Sequence, residues 1–237
     1  MTSKPQLDGH VAIVTGGSRG IGLAITCGFV ARGARVVVSG RSRPDLDAVV
    51  AELGDRVATV QGDVADPAVA SSLVRTAAEL FGGVDSLINN AGVGTFAHVA
   101  DLKEEDWHRL IATNLTGVFL CTKAAIPALR QRGGGWIINI SSLAGRNSFA
   151  GGAAYCASKA GLNAFAESLM LEVRQDDIRV STVMPGSVQT AFSAGGDAPE
   201  LDWKLSPDDV AQVVFDLLGH SRRSLPSRVE IRPSKPR

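Results

Sequence analysis

Residues 11–25, VAIVTGGSRGIGLAI, place a cluster of glycines between an apolar run and a helical pattern. Residues 11–14 are typical of a buried strand, and residues 21–32 carry apolar side chains at helical spacing. A helix that begins directly after a strand presents unpaired N–H groups and a partial positive charge. Glycines there allow a pyrophosphate to approach the backbone, although a turn that needs only positive φ is the alternative. The position between the first strand and the first helix favours a dinucleotide.

Outward from this stretch, strand-like runs alternate with helical patterns. The predicted strands are residues 11–14, 34–39, 57–60, 86–89, 136–140, 179–184 and 228–231, and the predicted helices are residues 21–32, 44–53, 67–81, 104–132, 153–173 and 208–219. Pro127 is expected to kink or split the fourth helix, and Pro207 to precede the last. The alternation predicts an α/β fold: a single doubly wound Rossmann-like domain over residues 1–237, with a mostly parallel seven-stranded sheet and helices on both faces.

Composition limits the class of protein. Among 237 residues, 24 Lys and Arg balance 24 Asp and Glu, and no basic, aromatic-rich stripe is present, which argues against a nucleic-acid partner. The three cysteines are scattered without a CxxC pattern, so neither a metal site nor a disulfide framework is predicted, and a cytoplasmic location is expected. No apolar run approaches the length that a bilayer requires, so no membrane partner is expected.

The end of the second predicted strand bears on which dinucleotide binds. Folds that bind NAD carry an Asp or Glu about 20 residues past the glycines. Residues 38–43, VSGRSR, contain no acid, and Arg41 stands at that point instead. Arg41 and Arg19 can hold a 2′-phosphate from two sides through charge-assisted hydrogen bonds, the alternative being two solvated surface arginines. We therefore expect NADP(H).

The ends of the third and fourth predicted strands carry further candidate binding residues. Asp63 can accept from an adenine amino group and Val64 can pack on the ring, although Asp63 can equally cap the next helix. Asn90, Ala91 and Gly92 follow the fourth strand, where small residues let the chain pass close under a cofactor. The alternative for this second stretch is an ordinary Asn/Gly turn.

Four side chains form a candidate catalytic group. Tyr155, the only tyrosine, lies four residues before Lys159 in a helical pattern, so the two share one face. A neighbouring ammonium lowers the pKa of a phenol from about 10 toward the range of general acid–base catalysis. Ser142 can hydrogen-bond the substrate oxygen, and Asn114 can hold a water against Lys159. The alternatives are a half-buried Tyr beside a surface Lys, a serine that caps backbone and an Asn at a helix kink.

Taken together, these motifs resemble the short-chain dehydrogenase/reductase family over about residues 9–219. The resemblance rests on motifs that occur in the family's order and at its intervals. They are Thr15-Gly16-x-x-x-Gly20-Ile21-Gly22, Asp63, Asn89-Asn90-Ala91-Gly92, Asn114, Ser142, Tyr155-x-x-x-Lys159 and Pro185-Gly186-x-x-x-Thr190.

The resemblance implies a cofactor that lies across the carboxyl edge of the sheet. Lys159 would also bind the nicotinamide ribose, and Thr190 the carboxamide. Hydride would move between nicotinamide C4 and a carbonyl carbon, with Tyr155 protonating the oxygen that Ser142 holds. The implied cofactor-binding residues are Gly16, Ser18, Arg19, Gly20, Ile21, Gly22, Arg41, Asp63, Val64, Asn90, Ala91, Gly92, Tyr155, Lys159, Pro185, Gly186, Val188 and Thr190.

Substrate and assembly are less constrained by the sequence. Residues 93–96, 143–153 and 188–205 are expected to border the substrate, the last as a lid. Their small and apolar residues predict a small to medium, largely apolar ketone, aldehyde or alcohol. The family usually assembles through its two long middle helices, which implies a homodimer or homotetramer. Residues 226–233 lack the Gly-Gly pair of related 3-oxoacyl-carrier-protein reductases. That activity, a catalytically silent NADP(H)-binding regulator and an isomerase or dehydratase are the alternatives.

Overall fold

Strands and helices alternate along the described part of the chain, which is residues 6–190, 192 and 202–235 of a computed structural model. The strands are β1 (Val11–Thr15), β2 (Arg35–Gly40), β3 (Val57–Gln61), β4 (Ser86–Asn89), β5 (Gly135–Ile140), β6 (Ile178–Pro185) and β7 (Arg228–Ile231). The helices are α1 (Gly20–Val30), α2 (Arg43–Leu53), α3 (Pro67–Phe81), α4 (Glu104–Ile111), α5 (Gly117–Gln131), α6 (Ala153–Val173) and α7 (Pro207–Leu218).

All seven described strands form one parallel sheet in the order β3-β2-β1-β4-β5-β6-β7. The predicted doubly wound fold is therefore confirmed. From β1 the chain builds outward to β3, and it then returns to the other side of β1 to build β4 to β7. At this reversal the connections that follow β1 and β4 leave in opposite directions, which opens a crevice at the carboxyl edge where ligands bind in such sheets.

Helices cover both faces of the sheet, and β1 shows how the sequence specifies this. Ala12 and Val14 point into a core shared with α1, α2 and α7, whereas Val11 and Ile13 point into a core shared with α3, α5 and α6. A strand buried on both faces needs a continuous apolar run rather than an alternating one, as residues 11–14 show. The two cores fix the carboxyl end of β1 in the middle of the molecule.

The N-termini of the helices differ in how their free N–H groups are satisfied. Ser42 and Asp66 accept hydrogen bonds from the first turns of α2 and α3, and Ser206 with Asp209 forms a capping box on α7. The helix α1 has no side-chain cap and no acid in its first turn. Its N–H groups are therefore left for another partner, and this end lies at the crevice between β1 and β4.

The predicted helix over residues 104–132 is interrupted, but the split does not lie at Pro127. Helix α4 gives way to a wide π-helical turn, Ala112–Thr116, and α5 then runs continuously through Pro127. Hydrophobic periodicity does not reveal such a turn because apolar residues continue on both sides of it. Single π-turns of this kind frequently occur at functional sites, and this one contains Asn114.

One described helical stretch, Glu104–Gln131, is long and apolar enough by length and composition to cross a membrane. The expectation that no run approaches this length therefore needs correction. Within the fold, 44% of the most apolar 18-residue segment of this stretch is buried. Cys121, Ala125 and Leu129 of α5 pack into the core beneath the sheet, so packing accounts for a substantial part of the apolar character of this stretch.

The core beneath α1 generates a first prediction. Phe29 is fully buried and meets Phe215 of α7 edge to face, with 5.1 Å between ring centroids. The substitution Phe29→Ala should lower the free energy of unfolding by about 3–5 kcal/mol, because it removes a large side chain from a close-packed site. Urea denaturation measures this, with Leu80→Ala on the exposed face of α3 as the control, expected to cost about 0.5 kcal/mol or less. Equal costs for both variants would contradict the packing described.

Candidate active site

A cavity of about 900 Å³ occupies the crevice at the carboxyl edge of the sheet. It is lined by nearly all of the side chains and glycines that the sequence singles out, from the loops after β1 to β6 and from α6. The predicted site residues on its wall are Gly16, Ser18, Arg19, Gly20, Ile21, Arg41, Asp63, Val64, Asn90, Ala91, Gly92, Ser142, Tyr155, Lys159, Pro185, Gly186, Val188 and Thr190. Gly22 and Asn114 are absent from the wall and lie behind it.

The glycine loop after β1 is shaped for close approach. Gly16 and Gly20 have φ values of +62° and +53°, which favour glycine. A Cβ at Gly22 would lie 2.2 Å from the carbonyl oxygen of Gly16, so only glycine lets α1 pack on the loop. The uncapped start of α1, Gly20 and Ile21, faces the cavity. We call this glycine loop and the start of α1, residues 16–22, the cradle. It suits the pyrophosphate of a dinucleotide, whose oxygens would accept hydrogen bonds from the free N–H groups.

Two polar side chains fix the loop against β4. The Nδ2 of Asn90 donates to the carbonyl oxygens of Thr15 and Gly16 at 3.0 and 3.1 Å. The Oγ1 of Thr15 accepts from the N–H groups of Asn90 and Ala91, both at 3.0 Å. Asn90 is therefore a positioning residue for the cradle. Sequence reasoning missed the role of Thr15, and its place at the end of β1 directly before the glycines is the signal for it.

The two arginines expected at a 2′-phosphate both line the cavity, but they differ in their partners. The Nε of Arg19 lies 3.2 Å from Oδ2 of Asp45, an acid in the first turn of α2. The side chain of Arg41 is exposed. The backbone carbonyl oxygen of Arg41 accepts a hydrogen bond from Nε2 of Gln61 at 3.1 Å. The sequence contains no acid directly after β2, but it does not reveal that Asp45 reaches back to Arg19. Any phosphate bound by Arg19 therefore competes with Asp45.

Two interpretations of Asp63 were open from the sequence, as an adenine-binding residue and as the N-cap of the next helix. The N-cap of α3 is Asp66, whose carboxylate accepts from Ala68 at 2.8 Å. Asp63 instead accepts from the N–H of Ala65 at 2.9 Å and lines the cavity beside Val64. The interpretation of Asp63 as the cap of the next helix is therefore wrong, and its second carboxylate oxygen has no protein hydrogen-bond partner in the described part of the chain.

Tyr155 and Lys159 lie on one face of α6, as predicted, with the ammonium 5.9 Å from the centroid of the phenol ring. The Lys159 side chain is only 5% exposed, and its Nζ donates to the carbonyl oxygen of Ile140 at 3.0 Å. Burial lowers the pKa of Lys159 to about 8. A buried ammonium with one backbone acceptor retains two N–H groups for other partners.

The pKa of Tyr155 is raised, which is opposite to the expected effect of a neighbouring ammonium. Burial of the phenol raises the pKa, and a hydrogen bond with the Ser142 side chain lowers it by less. Ser142 also accepts from the N–H of Ala144 at 3.1 Å, which fixes its hydroxyl at the start of the loop after β5. In the protein alone the phenol is therefore firmly protonated and lies beside a second hydroxyl.

Asn114 is completely buried in the π-turn, and its amide binds the chain that follows β4. Its Oδ1 accepts from the N–H of Val93 at 2.8 Å, and its Nδ2 donates to the carbonyl oxygen of Val93 at 2.9 Å. The same Nδ2 donates to Oγ of Ser158 at 3.0 Å, and that hydroxyl donates to the carbonyl oxygen of Tyr155 at 2.7 Å. Ser158, which sequence reasoning missed, thereby links Asn114 to the backbone of α6 at Tyr155.

The loop after β6 closes over the cradle. The N–H of Gly186 donates to the carbonyl oxygen of Ile231 at 2.8 Å, which ties the loop to β7. A Cβ at Gly20 would lie 3.3 Å from Cγ2 of Thr190, so this threonine covers the start of α1. Val188 pairs with Leu205, which joins both ends of the segment expected to be a lid. Residues 191 and 193–201 of that segment lie outside the described residues.

At the other end of the cavity, the wall is mainly apolar. Phe96, Phe149 and Phe192 line it, as the sequence predicts, and Trp203 also contributes. Two charged residues that sequence reasoning missed reach the wall, Arg109 and Arg232. Arg109 is held by Asp106 and Thr95 at 2.6 and 2.8 Å, and Arg232 by Glu230 at 2.8 Å. Their charges are therefore already engaged within the chain.

Comparison with known proteins agrees with this geometry. The family described as short chain dehydrogenase matches residues 10–200. The chain is 40% identical to a 3-oxoacyl-[acyl-carrier-protein] reductase of Synechocystis over 188 residues, which cover 78% of the chain and 76% of the relative. It is 38% identical to a 2,5-dichloro-2,5-cyclohexadiene-1,4-diol dehydrogenase of Sphingobium indicum over 195 residues, 80% of the chain and 77% of the relative.

Similarity to solved structures extends over almost the whole fold. A closed form of serine dehydrogenase, complexed with NADP+, superposes with a TM-score of 0.87 at 30% sequence identity. The superposition covers 93% of this chain and 94% of the serine dehydrogenase chain. The matches in family and in fold point the same way. The chain belongs to the short chain dehydrogenase family and is an oxidoreductase that acts on CH–OH or C=O groups.

Proposed function

We propose that this oxidoreductase uses NADP(H) and acts on a small to medium, largely apolar ketone, aldehyde or secondary alcohol. The observation that carries the proposal is the protonated Tyr155 phenol beside Ser142, with the buried ammonium of Lys159 next to it on α6. The phenol and the Ser142 hydroxyl can bind one carbonyl oxygen together. The apolar wall beyond them supports an apolar substrate.

The cradle residues fit a nicotinamide dinucleotide. The free N–H groups at the start of α1 would bind the pyrophosphate, Asp63 and Val64 the adenine, and Lys159 the nicotinamide ribose. Thr190, which covers the start of α1, would bind the carboxamide. When bound, the cofactor supplies or accepts hydride at C4 of the nicotinamide. The NADP+ complex of the similar serine dehydrogenase supports this assignment.

In reduction, Tyr155 donates its proton to the carbonyl oxygen while Ser142 donates a hydrogen bond to the same oxygen. The raised pKa of the free phenol keeps that proton available. The resulting phenolate is stabilised by the Lys159 ammonium, since a neighbouring positive charge favours the ionised form. In oxidation the same groups act in reverse, and the phenolate removes the proton of the alcohol.

Asn114 and Lys159 both approach Gly92, and the proposed proton path runs through a water held by these two side chains. A Cβ at Gly92 would lie 3.4 Å from Oδ1 of Asn114 and 3.6 Å from Nζ of Lys159. Both atoms therefore lie close to Gly92, and a water held between them would complete the proposed path, since it can accept a proton from Lys159 or return one. This keeps the water-holding role predicted for Asn114, although most of its amide is already bound to Val93 and Ser158.

Preference for NADP(H) over NAD(H) is proposed from Arg41. Its guanidinium is exposed beside the cradle, at the end of β2 where enzymes that bind NAD carry an acid. Arg19 would add a second contact once it leaves Asp45, at a small cost because exposed ion pairs contribute little. The two arginines would then hold a 2′-phosphate from opposite sides.

Assembly as a homodimer or homotetramer is part of the proposal. Phe119 of α5 is 45% exposed and Leu171 of α6 is 55% exposed, although both are large and apolar. These are the two long middle helices through which the family usually pairs. A partner molecule packed on them would bury both side chains.

The role of Tyr155 is tested by Tyr155→Phe. The variant should lose activity by about 100- to 10,000-fold, because a general acid–base group contributes roughly that factor. Consumption of NADPH with a panel of apolar ketones and aldehydes measures the rate, and quenching of intrinsic fluorescence measures cofactor binding. Binding should stay within about twofold of the parent, because the variant keeps the aromatic ring. Full activity in the variant would contradict the assignment.

Cofactor preference is tested by two substitutions with opposite effects. Arg41→Ala should raise KM for NADPH by about 10- to 100-fold, since a hydrogen bond between charged groups is worth about 1.5–3 kcal/mol. Asp45→Asn should lower KM for NADPH by up to about fivefold, because it frees Arg19 from an exposed pair. KM for NADH serves as the internal control and should change little in either variant. A parent that prefers NADH would refute the assignment.

Burial of Lys159 makes stability depend on pH. The folded protein binds this proton less tightly than the unfolded chain, so folding stability rises as pH increases from about 8 toward the ordinary lysine value of about 10.4. Between pH about 7.5 and 9.5 the parent should gain about 2 kcal/mol relative to Lys159→Met, which has no charge to lose. Urea denaturation at the two pH values measures the difference. Parallel pH profiles for both proteins would contradict a buried ammonium.

A further inference from the structure

Two phenylalanine rings pack on Tyr155, and a third packs on one of them, each from a separate segment. The ring centroid of Phe96, after β4, lies 5.5 Å from that of Tyr155, with 75° between the planes. Phe149, before α6, lies 5.8 Å from Phe96 at 50°, and Phe192, after β6, lies 5.9 Å from Tyr155 at 52°. All three line the same cavity as the phenol. We call these three residues the phenylalanine cluster.

Two glycines leave the space that the rings of the phenylalanine cluster occupy. A Cβ at Gly94 would lie 2.7 Å from Cζ of Phe192 and 3.3 Å from Cζ of Phe96. A Cβ at Gly152 would lie 2.5 Å from Cε2 and Cζ of Phe149. Any larger residue at Gly94 or Gly152 would displace a ring. The sequence therefore provides room for each ring against the backbone, and the cluster is a built feature of the cavity.

The rings of the cluster are only half-buried. Phe96, Phe149 and Phe192 are 52%, 47% and 42% exposed, whereas the paired rings of Phe29 and Phe215 in the core are almost fully buried. A cluster that served only to stabilise the fold would bury its rings. Apolar surface left uncovered beside a cavity marks a place for a ligand.

The tilt of the rings favours an aromatic ligand over a saturated one. Aromatic rings attract each other edge to face or offset, at centroid distances of about 4.5–7 Å, because their faces and edges carry opposite partial charge. The cluster already shows these distances and tilts. A phenyl group inserted there would gain both burial and these contacts, whereas a cyclohexyl group would gain burial alone.

We propose that the phenylalanine cluster is an aryl-binding subsite, and that the substrate carries an aromatic ring close to its reacting carbon. The inference rests on the proposed carbonyl chemistry, because Tyr155 is both the proton donor and a neighbour of Phe96 and Phe192. It narrows the substrate class from apolar compounds in general to aryl ketones, aryl aldehydes and their alcohols. It also makes Phe96 and Phe149 specificity-determining residues.

A matched pair of ketones tests the subsite. Phenylacetone and cyclohexylacetone have the same chain and an unconjugated carbonyl, and they differ only in the ring. Cyclohexylacetone is the more hydrophobic, so a merely apolar pocket would favour it. The parent should show a kcat/KM for phenylacetone that is higher by about two- to tenfold, the factor expected from aromatic contacts. Calorimetric titration of both ketones into the parent loaded with NADP+ gives a second readout that needs no turnover.

Variants assign the preference to the cluster. Phe96→Leu and Phe149→Leu keep an apolar side chain at half-exposed positions but remove the ring, so the phenyl-to-cyclohexyl ratio should fall to about one or below. Cyclohexylacetone activity should fall less than phenylacetone activity in these variants, because leucine still provides apolar burial but no aromatic contact. Phe81→Leu, which removes a ring of α3 that packs on Arg35 away from the cavity, is the control and should keep the parental ratio. Thermal melting confirms that each variant is folded.

The outcomes separate this inference from the proposed function. A parental ratio of one or below, or an unchanged ratio in both cavity variants, overturns the aryl subsite while carbonyl reduction stands. If the parent reduces no carbonyl at all, the proposed function fails, and calorimetry then decides the subsite alone. Tighter binding of phenylacetone, lost in Phe96→Leu, would support the subsite, and equal binding of the two ketones would overturn it.

Discussion

The buried ammonium of Lys159 is the constraint on which the rest of the site depends. Removing a charged group from water costs several kcal/mol unless partners compensate, and here one backbone oxygen, that of Ile140, accepts from it. The cost lowers the pKa to about 8 but does not place it below neutral pH. Such a charge is useful where a phenolate forms beside it, and Tyr155 occupies that place on the same helix. The end of β5 and the helix α6 meet at this ammonium, and Gly92 lies close both to it and to Asn114 of the π-turn.

The reversal of strand order divides the cavity into two parts with different physical requirements. On the side of β1 to β3, the cradle needs bare backbone, and it obtains this from glycines and from a helix start without a side-chain cap. On the side of β4 to β6, the chemistry needs hydroxyls and an ammonium in fixed positions. Thr15 and Asn90 join the two parts by hydrogen bonds between the carboxyl ends of β1 and β4. These hydrogen bonds thereby connect the groups proposed for cofactor binding with those proposed for proton transfer.

Local sequence patterns predicted the elements well, because each depends on neighbours along the chain. The bounds of α3 and α6 agree with the predicted helices, and α6 brings Tyr155 and Lys159 to one face. The features that were missed depend on contacts between distant segments. Asn114 forms its wide turn while bound to Val93, and Arg19 pairs with Asp45 across two elements. The pKa of Tyr155 moves upward because burial, which periodicity reports poorly, outweighs its hydrogen bond to Ser142.

In the proposed reaction, hydride passes directly between the nicotinamide and a carbonyl carbon while Tyr155 supplies the proton. Mass spectrometry of the alcohol formed from an apolar ketone, with NADPH deuterated at either face of C4, tests this most directly. We expect one deuterium on the carbinol carbon from one of the two labelled faces, and one NADPH consumed per alcohol. Product formed without NADPH consumption, or without deuterium from either face, would contradict the account and favour an isomerase or dehydratase that retains its nicotinamide.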